Sequence, residues 1–346
     1  MLRLFQLTSA FIKLGFCATV IVNLLFINLT LSYTKNITGT YRKMLVIFAA
    51  TSILFSVVEV IAQPCLHNFN AGAVYFSLRD PDDSLFSMPF LYFSLLLYGS
   101  CYLGQVAFIA VQFLFRYFTL TTHPMQKSFQ GRKQFFWALY VFLMGGVFGG
   151  GLWIFLPNDQ YSDVYMEKEM QRVYLKDIKK VPRIIALAYE GKEVRWNMIS
   201  YTGLGMAIVT LQYLIITFCS LKMYTAIKTN MNVSPQNQKL ELQFFQALTL
   251  QIILPTLLIT LPTGFVLLVP LLNTKVSCQF GIIFALYSWY PIFDTVSTMV
   301  ILKEYKRCLR DCINDLYEFT RIKEEETPET IQNAGIEMAQ FSRALS

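Results

Sequence analysis

The sequence predicts an all-α membrane protein, a bundle of seven transmembrane helices with the N-terminus outside and the C-terminus inside. Three observations support this: seven long apolar stretches, an apolar composition, and cations concentrated in alternate connectors. About 20 apolar residues cross the hydrocarbon core of a bilayer as a helix. Of the 346 residues, 55% are hydrophobic and only 15% are charged, which is unusual for a soluble domain. The predicted spans are 11–31, 44–66, 90–115, 135–155, 199–223, 244–271 and 280–302.

Positive charge in the connectors predicts the orientation, because short cytoplasmic loops carry an excess of lysine and arginine. The short connectors predicted to be outside carry only Arg79 and Lys275. The opposite orientation is favoured by Arg3 and Lys13 and by eight cations in connector 157–197. That connector is long and also holds seven acids, so its cations carry less weight. The cations that favour the cytoplasmic side are Lys35, Arg42, Lys43, Arg116, Lys127, Arg132, Lys133, Lys228, Lys239, Lys303, Lys306, Arg307 and Arg310.

The net charge of +7 is interpreted as an orientation signal and as attraction to anionic membrane lipid of the inner leaflet. No pattern typical of nucleic-acid binding is present. Two histidines and seven dispersed cysteines predict neither a metal site nor a cofactor. The first span is too long for a typical signal peptide and is expected to remain as a helix. Cys65 and Cys278 fall near the outer surface, where a disulfide is permitted, and the sequence leaves their pairing open.

The second and third spans carry polar residues at helical spacing, each set on one face. In the second span they are Ser52, Ser56, Glu59 and Gln63; in the third they are Tyr98, Tyr102, Gln105, Gln112 and Arg116. Within hydrocarbon such stripes must face protein or water. The sequence therefore predicts a polar, partly hydrated interior.

Two interpretations of these stripes stay open. Tyr98, Tyr102 and Gln105, with Tyr287 of the seventh span, can line a ligand cavity in the outer half of the bundle. Alternatively, they form hydrogen bonds that only hold the helices together. We favour a cavity for the stripe as a group and a structural role for any single member. Glu59 and Asp294 are the costliest residues to insert, at roughly 2.5–3.5 kcal/mol each in mid-bilayer, so they need partners, hydration or protonation.

Glycine and proline mark the fourth, sixth and seventh spans. Gly145, Gly146, Gly149 and Gly150 form overlapping pairs of small residues in the fourth span, which favour close helix packing over dimerisation. Proline removes a backbone donor and bends a helix. The kink-forming prolines are Pro255, Pro262 and Pro270 in the sixth span and Pro291 in the seventh. Two kinked neighbours ahead of basic cytoplasmic connectors suit a switch that opens inward.

The seventh span carries a polar face of Tyr287, Tyr290, Asp294 and Thr298. After it, apolar and charged residues alternate at helical spacing over 303–320, which predicts an amphipathic helix along the inner leaflet. Cys308 and Cys312 lie one turn apart on its apolar side, either as palmitoylation sites or as buried, unmodified thiols. The polar tail 321–346 is expected to be flexible.

At these residues the chain resembles the nematode seven-transmembrane chemoreceptors of the Str class, over nearly its whole length. The pieces that carry the resemblance are Glu59, Gln63, Pro64 and His67; Phe115, Arg116 and Tyr117; Gln251, Pro255, Pro262 and Pro270; Tyr290, Pro291 and Asp294; and Lys303, Glu304 and Tyr305. Each piece alone is a weak signal, whereas their order and spacing together are specific.

The resemblance implies a G-protein-coupled receptor that binds a small, often volatile odorant or metabolite between the outer halves of its helices. It also implies coupling to a heterotrimeric G protein with an inhibitory-type alpha subunit, in the plasma membrane of the sensory cilium of chemosensory neurons. Arg116 and Tyr117 would then gate access of the G protein, with Pro255, Pro262 and Asp294 as parts of the switch.

The chain departs from the family pattern in two places. Asp294 is followed by Thr295, where proline is common in the family, and connector 157–197 has no cysteine for the usual disulfide to the third span. We expect the charges of this connector and its tyrosines to hold it instead. Those tyrosines are Tyr161, Tyr165 and Tyr174.

Three other functions compete with that of a receptor. A ligand-gated ion channel of the inverted seven-span kind has its N-terminus inside, which the loop charges disfavour. A small-molecule transporter is disfavoured because the sequence shows no internal repeat and no matched pair of broken helices in two halves. An enzyme is disfavoured because no nucleophile or histidine constellation is present.

Overall fold

The computed structural model describes residues 2–34, 39–82, 85–229, 235–273 and 276–314, and its helices follow the predicted order of spans. The uninterrupted spans are α1 (Leu2–Ser32), α2 (Gly39–Ala62), α3 (Met88–Leu120), α4 (Gln134–Phe155) and α6 (Trp196–Thr229). Within the described ranges, six helical segments are long and apolar enough to cross a membrane. The predicted helical membrane bundle is confirmed.

The sixth and seventh spans are interrupted close to their prolines. The sixth consists of α7 (Pro235–Pro255), a π-helical turn (Thr256–Thr260), α8 (Leu261–Leu268) and a 3₁₀ turn (Val269–Leu272). The seventh consists of α9 (Gly281–Tyr287) and α10 (Tyr290–Ile301). Pro262 and Pro291 lie in the first turns of α8 and α10, where the missing N–H costs no helical hydrogen bond. The prolines therefore lie close to the points where the regular α-helical hydrogen bonding of both spans changes.

Three connectors build a small domain, which we call the roof, at the end of the bundle that the loop charges predict to be outer. Its antiparallel sheet has the order β3-β2-β1-β6, and helix α5 (Gln160–Tyr174) packs on it. The sheet strands are β1 (Pro64–Phe69), β2 (Gly72–Ser77), β3 (Arg183–Leu187) and β6 (Ser277–Gln279); a separate hairpin joins β4 (Tyr189–Glu190) and β5 (Glu193–Val194). In β2, Val74 and Phe76 face α5, whereas Ala73 and Tyr75 face the transmembrane helices.

The second span ends earlier than predicted. Helix α2 stops at Ala62, and residues 64–66 of the predicted span belong to strand β1. Gln63 has a positive φ of 40° and its N–H donates to the Glu59 carbonyl, which closes the helix. Pro64 cannot continue a helix, so the chain leaves as a strand. Gln63 therefore caps α2, and its side-chain oxygen accepts a hydrogen bond from Ser9 Oγ of α1.

The glycines of α4 are divided between two faces. A Cβ on Gly145 would lie 2.4 Å from the Ser100 carbonyl oxygen, and a Cβ on Gly149 would lie 2.8 Å from that of Leu96. Only glycine allows α4 to pack this closely on α3. A Cβ on Gly146 or Gly150 would meet no described neighbouring atom within 4 Å. The predicted close packing thus uses one glycine pair, and the other pair faces away from the bundle.

A further helix, α11, covers residues 303–314 after the seventh span. Tyr305 stacks on Phe26 of α1 at 4.8 Å between ring centres, and its hydroxyl shares a 2.7 Å hydrogen bond with Thr30. These contacts hold α11 against α1. Residues 315–320 of the predicted amphipathic helix and the tail 321–346 lie outside the described residues.

Candidate ligand site and signalling switch

An aromatic group, which we call the outer cluster, fills the bundle directly beneath the roof. Its members are Phe55 of α2, Tyr98 and Tyr102 of α3, and Phe284 and Tyr287 of α9. Ring centres lie 4.9 Å apart for Phe55–Tyr98, 6.0 Å for Tyr98–Tyr287 and 5.6 Å for Tyr102–Tyr287. The structure thus brings together three of the four predicted ligand residues.

Gln105, the fourth predicted ligand residue, lies two turns below Tyr98 on α3 and is 7% exposed. Its amide nitrogen Nε2 has no hydrogen-bond partner among the described residues. A buried amide donor without a partner is unfavourable by about 1–3 kcal/mol. Gln105 is therefore available to a water or a ligand atom.

Glu59 of α2 lies beside the outer cluster and is 1% exposed. Tyr98 donates a 3.2 Å hydrogen bond to Glu59 Oε1, and Ser288 lies within hydrogen-bonding reach of the carboxyl. The carboxyl is also close enough to act electrostatically on the hydroxyls of Tyr75 and Tyr287. None of the ion pairs in the described part of the chain includes Glu59.

The π-helical turn of the sixth span is tied to the outer cluster by hydroxyl groups. Tyr102 shares a 2.8 Å hydrogen bond with Thr260, and Tyr213 of α6 shares a 2.6 Å bond with Thr256. A π-helical turn lacks the regular pattern of an α-helix and often marks a functional position. These two bonds connect α3 and α6 to the point where the sixth span is interrupted.

Arg116 is held at the inner end of the bundle by a group that we call the inner clasp: Tyr41 of α2, Arg116 of α3, and Glu241 and Phe244 of α7. The Arg116 guanidinium carbon lies 3.7 Å from the ring centre of Tyr41 and 3.6 Å from that of Phe244. Nη1 lies 3.5 Å from Glu241 Oε2. Arg116 is 3% exposed, so an ion pair and two aromatic faces compensate a buried cation.

Tyr117 and Asp294, the other predicted switch residues, lie apart from the clasp. Tyr117 is half-buried and contacts Phe218 of α6 edge to face at 5.8 Å. Asp294 is 1% exposed, and its Oδ2 accepts a 3.3 Å hydrogen bond from Gln251 of α7. Asp294 Oδ1 has no partner among the described residues. The Gln251 contact joins the sixth span to the seventh below their interruptions.

The roof encloses a group of titratable side chains between β1 and α5. His67 Nε2 lies 3.3 Å from Glu169 Oε1, and His67 Nδ1 lies 3.3 Å from the Tyr174 hydroxyl. Burial lowers the pKa of His67 below its ordinary value, and the nearby Glu169 carboxylate only partly opposes this. Burial raises the pKa of Glu169, but hydrogen bonds from Arg172 and Ser277 outweigh it and leave the pKa lowered. Near neutral pH the group therefore holds a neutral imidazole beside a carboxylate.

The charges and tyrosines of connector 157–197 do hold the roof together. Tyr165 accepts a hydrogen bond from the Ala71 N–H at 3.4 Å, and Tyr161 accepts one from the Gly191 N–H at 3.1 Å. The ion pairs within this connector are Arg183 with Asp163, Arg172 with Glu169, and Arg195 with both Asp159 and Glu190. All seven cysteines are free thiols, and the connector 157–197 contains none of them.

The disulfide that the sequence left open between Cys65 and Cys278 does not form. Cys278 pairs with Asn68 in the ladder between β1 and β6, so these two side chains share one face of the sheet. Cys65 lies three residues from Asn68 and therefore points to the opposite face. Burial raises the pKa of the Cys65 thiol to about 12, so it is an unreactive thiol.

The two predicted lipidation residues differ in access. Cys308 is 2% exposed within the cluster that contains Phe26 and Tyr41. Burial is also the main cause of its raised pKa. Cys312 is partly exposed at the edge of the same cluster. An acyl chain on Cys308 would displace this packing, whereas Cys312 can accept one. Among the described residues, no group of three or more histidine, cysteine or acidic side chains is arranged to hold a metal ion.

Sequence reasoning found Arg116 but missed its partners Tyr41, Glu241 and Phe244. Phe244 is one aromatic residue among 30 phenylalanines, and Glu241 precedes the predicted span. Glu241 could nevertheless have been considered as a partner of Arg116, because this acidic residue stands just before a long apolar stretch. Phe55 and Phe284 were missed because apolar residues on a membrane helix carry no periodic contrast.

Comparisons with known proteins agree on one family. The family described as "Serpentine type 7TM GPCR chemoreceptor Str" matches residues 8–310. Over 314 residues the chain is 35% identical to the G-protein coupled receptor str-33 of Caenorhabditis elegans, covering 88% of this chain and 90% of that one. It is 21% identical over 300 residues to the serpentine receptor class r-10 of the same species, covering 85% and 87%. Squid rhodopsin has a similar fold, with a TM-score of 0.55 at 12% identity over 91% of this chain and 86% of that chain.

Proposed function

We propose a function for this chain from its family, because it belongs to the Str family of serpentine seven-transmembrane chemoreceptors. In this proposal it binds a small odorant or metabolite in the outer cluster and activates a heterotrimeric G protein. The proposal includes an inhibitory-type alpha subunit as the partner. It also takes the N-terminus to be outside and the C-terminus to be inside. The observation that carries the proposal is the physical connection between the outer cluster, the interrupted sixth span and the clasped Arg116.

The ligand side of the proposal rests on Tyr98, Tyr102, Gln105 and Tyr287. Their hydroxyl and amide groups lie within an aromatic wall, which is the usual chemistry of a small-molecule site. The rings contact one another directly, so a bound molecule replaces ring contacts between α3 and α9 with contacts to itself. A ligand that binds one conformer more tightly shifts the population toward that conformer.

The sixth span transmits the shift. Tyr102 holds Thr260 of the π-helical turn on the outer side, and Glu241 and Phe244 hold Arg116 on the inner side. Pro255 and Pro262 border the turn, so α7 can tilt with little loss of backbone hydrogen bonds. An outward swing of the inner end of α7 removes two of the three contacts of Arg116. The freed guanidinium and the neighbouring Tyr117 then face the G protein.

Asp294 supports this movement from the seventh span. Its hydrogen bond from Gln251 must be rearranged when α7 tilts, because Gln251 lies on the moving segment. The resting conformer is therefore held both by the inner clasp and by a contact between the sixth and seventh spans.

The protein is a multi-pass membrane protein, and we place it in the plasma membrane of the sensory cilium. Cations of α11 face out of the bundle at its inner end, where anionic lipid attracts them. Palmitoylation at Cys312 would strengthen this attachment. At Gly146 and Gly150 an added Cβ would meet no described neighbouring atom within 4 Å, so these glycines offer a face for dimerisation.

Calcium imaging of cells that express the chain tests the proposal, using a panel of volatile and water-soluble metabolites. The panel is measured with and without an inhibitory-type alpha subunit. A response that requires the alpha subunit supports the receptor. A response that persists without it and carries ionic current would identify a ligand-gated channel instead.

A further inference from the structure

We infer that the outer cluster recognises a small organic amine, bound as its ammonium ion with Glu59 as the counter-ion. This inference rests on the proposed function, because it names the ligand class of the same site. It is carried by one buried acid that has aromatic side chains near it and no cation of the described residues beside it.

The partners of the buried acids set Glu59 and Asp294 apart from the other two. In the described part of the chain the buried acids are Glu59, Asp163, Glu169 and Asp294. Asp163 pairs with Arg183, and Glu169 pairs with Arg172. The cation near the end of α2, Arg79, is engaged elsewhere: its Nη2 donates to the Val60 carbonyl at 2.9 Å, and its guanidinium lies over the Phe86 ring. Glu59 thus remains without a basic partner.

An unpaired buried charge costs several kcal/mol, so a carboxyl in this position keeps its proton until a cation arrives. A neutral amine that reaches the site takes this proton and becomes an ammonium ion beside the Glu59 carboxylate. The amine nitrogen gains the N–H bond and the carboxyl loses its O–H bond, so no net charge enters the membrane. An alcohol or alkane of the same shape cannot accept the proton.

The aromatic surroundings favour a cation further. Phe55, Tyr98 and Tyr287 lie within 6.0 Å of one another by ring centres and enclose the side of α2 that carries Glu59. The faces of aromatic rings attract ammonium groups, more strongly where water is excluded. The close ring spacing selects a ligand of few heavy atoms. Tyr98, which already donates to Glu59, can retain that hydrogen bond when the carboxylate is charged.

Asp294 does not offer an equivalent site. Its carboxyl accepts a hydrogen bond from Gln251, and Thr298 of the same helix also lies within reach of this amide. It sits toward the inner clasp, one turn below Tyr290 on α10, and belongs to the contact between the sixth and seventh spans. An acid that joins two moving helices serves the conformational change, whereas Glu59 lies among the ligand residues.

The test uses two amines and two neutral molecules of similar shape: isopentylamine with isopentanol, and trimethylamine with tert-butanol. The first measurement is the thermal unfolding of the purified full chain in detergent at millimolar probe. The second is the calcium response of cells that express the chain with an inhibitory-type alpha subunit. We expect both amines, and neither neutral molecule, to raise the unfolding temperature and to give a response.

The variant Glu59→Gln keeps the shape of the side chain but can neither give a proton to the amine nor become a carboxylate. We expect it to weaken the amine effects by about 10- to 100-fold, which is the contribution of a charge-assisted hydrogen bond. Glu167→Gln, on the exposed face of α5, is the matched control and should leave both measurements unchanged. If Glu59→Gln does not fold, the comparison of amine with alcohol on the unaltered chain decides alone.

The outcomes separate this inference from the proposed function. Stabilisation by amines without any cellular response would support the ligand class and contradict the receptor function. A response to isopentanol as strong as that to isopentylamine, or a full amine response in Glu59→Gln, would overturn the ligand class and leave the receptor function standing. Failure of both amines to stabilise the purified chain would also overturn it.

Discussion

The two ends of the bundle treat a buried charge in opposite ways. At the inner end, Arg116 is compensated within the protein by Glu241 and by the faces of Tyr41 and Phe244. At the outer end, Glu59 has hydroxyl partners and, among the residues that the structure describes, no cation. The comparison teaches that the inner site holds its counter-charge within the protein, although Arg116 Nε and Nη2 have no hydrogen-bond partner among the described residues. The outer acid lacks such a counter-charge, and in the proposed mechanism a ligand would supply it.

This difference gives the molecule a direction for signalling. In the proposed mechanism, a ligand gains binding free energy by supplying the cation that Glu59 lacks. A G protein gains binding free energy by contacting Arg116 after the other residues of the inner clasp have released it. Helices α2 and α3 also contribute to both sites, but the sixth span has a π-helical turn between them. It contacts both sites, through Thr260 on the outer side and through Glu241 and Phe244 on the inner side. Variants of either site should therefore affect different steps.

The largest effect is expected at Arg116. Arg116→Ala should abolish G-protein activation while ligand binding is preserved. A buried arginine anchor at a protein interface contributes about 2–4 kcal/mol of binding free energy, so the affinity for the G protein should fall by roughly 30- to 1,000-fold. The measurement is nucleotide exchange on the alpha subunit, with ligand-induced thermal stabilisation as the binding readout. Arg132→Ala, an exposed arginine at the same end, is the control. Unchanged exchange in Arg116→Ala would remove this residue from the mechanism.

The inner clasp predicts an effect of the opposite sign at its partners. Phe244→Leu removes one aromatic face from Arg116 and keeps an apolar side chain. A cation–π contact contributes about 0.5–2 kcal/mol, so the ratio of active to resting conformer should rise by roughly 2- to 30-fold. The measurement is the basal exchange rate without ligand. Glu241→Gln should act in the same direction, whereas Asp311→Asn, an exposed acid on α11, should not. A lower basal rate in Phe244→Leu would contradict the clasp as a brake.

The sequence predicted the bundle and most of the outer site, but not what compensates Arg116. Tyr98 and Tyr102 share a helical face, and prolines mark where the sixth span breaks, so local spacing was sufficient. Glu241 lies 125 residues beyond Arg116, and spacing carries no information about which distant residue packs on a helix. The roof was missed for a related reason. Its strands are short and come from three separate connectors, so their pairing depends on the assembled bundle rather than on alternation within one segment.

A smaller effect is expected where the outer cluster meets the sixth span. The Tyr102–Thr260 hydrogen bond is expected to contribute about 0.5–1.5 kcal/mol, so Tyr102→Phe should change ligand potency by roughly 2- to 12-fold. A double-mutant cycle with Thr260→Val isolates this contact. The Tyr140–Gln212 bond, also 2.8 Å, joins two uninterrupted helices and provides the control. Equal effects of Tyr102→Phe and Tyr140→Phe on potency would show that the π-helical turn has no special part in signalling.

The smallest effect is expected in the roof, where pH should change stability without changing the two charged sites. Because burial lowers the pKa of His67, the unfolded roof binds a proton more readily than the folded one, so stability falls as pH falls from about 6.5 toward the lower folded pKa. The groups around the imidazole are Glu169, Tyr174 and Arg172.

Hydrogen exchange of the β1 and β6 amides measures this effect. Protection should fall by at most about tenfold per pH unit, which is the limit for one proton. His67→Gln should remove this dependence, whereas His123→Gln, in an exposed connector at the other end of the bundle, should retain it. If the roof of His67→Gln kept the same dependence, another group would be responsible. If acid instead increased protection, the charged pair of His67 and Glu169 would outweigh burial, and the roof would resemble the inner clasp rather than the uncompensated outer site.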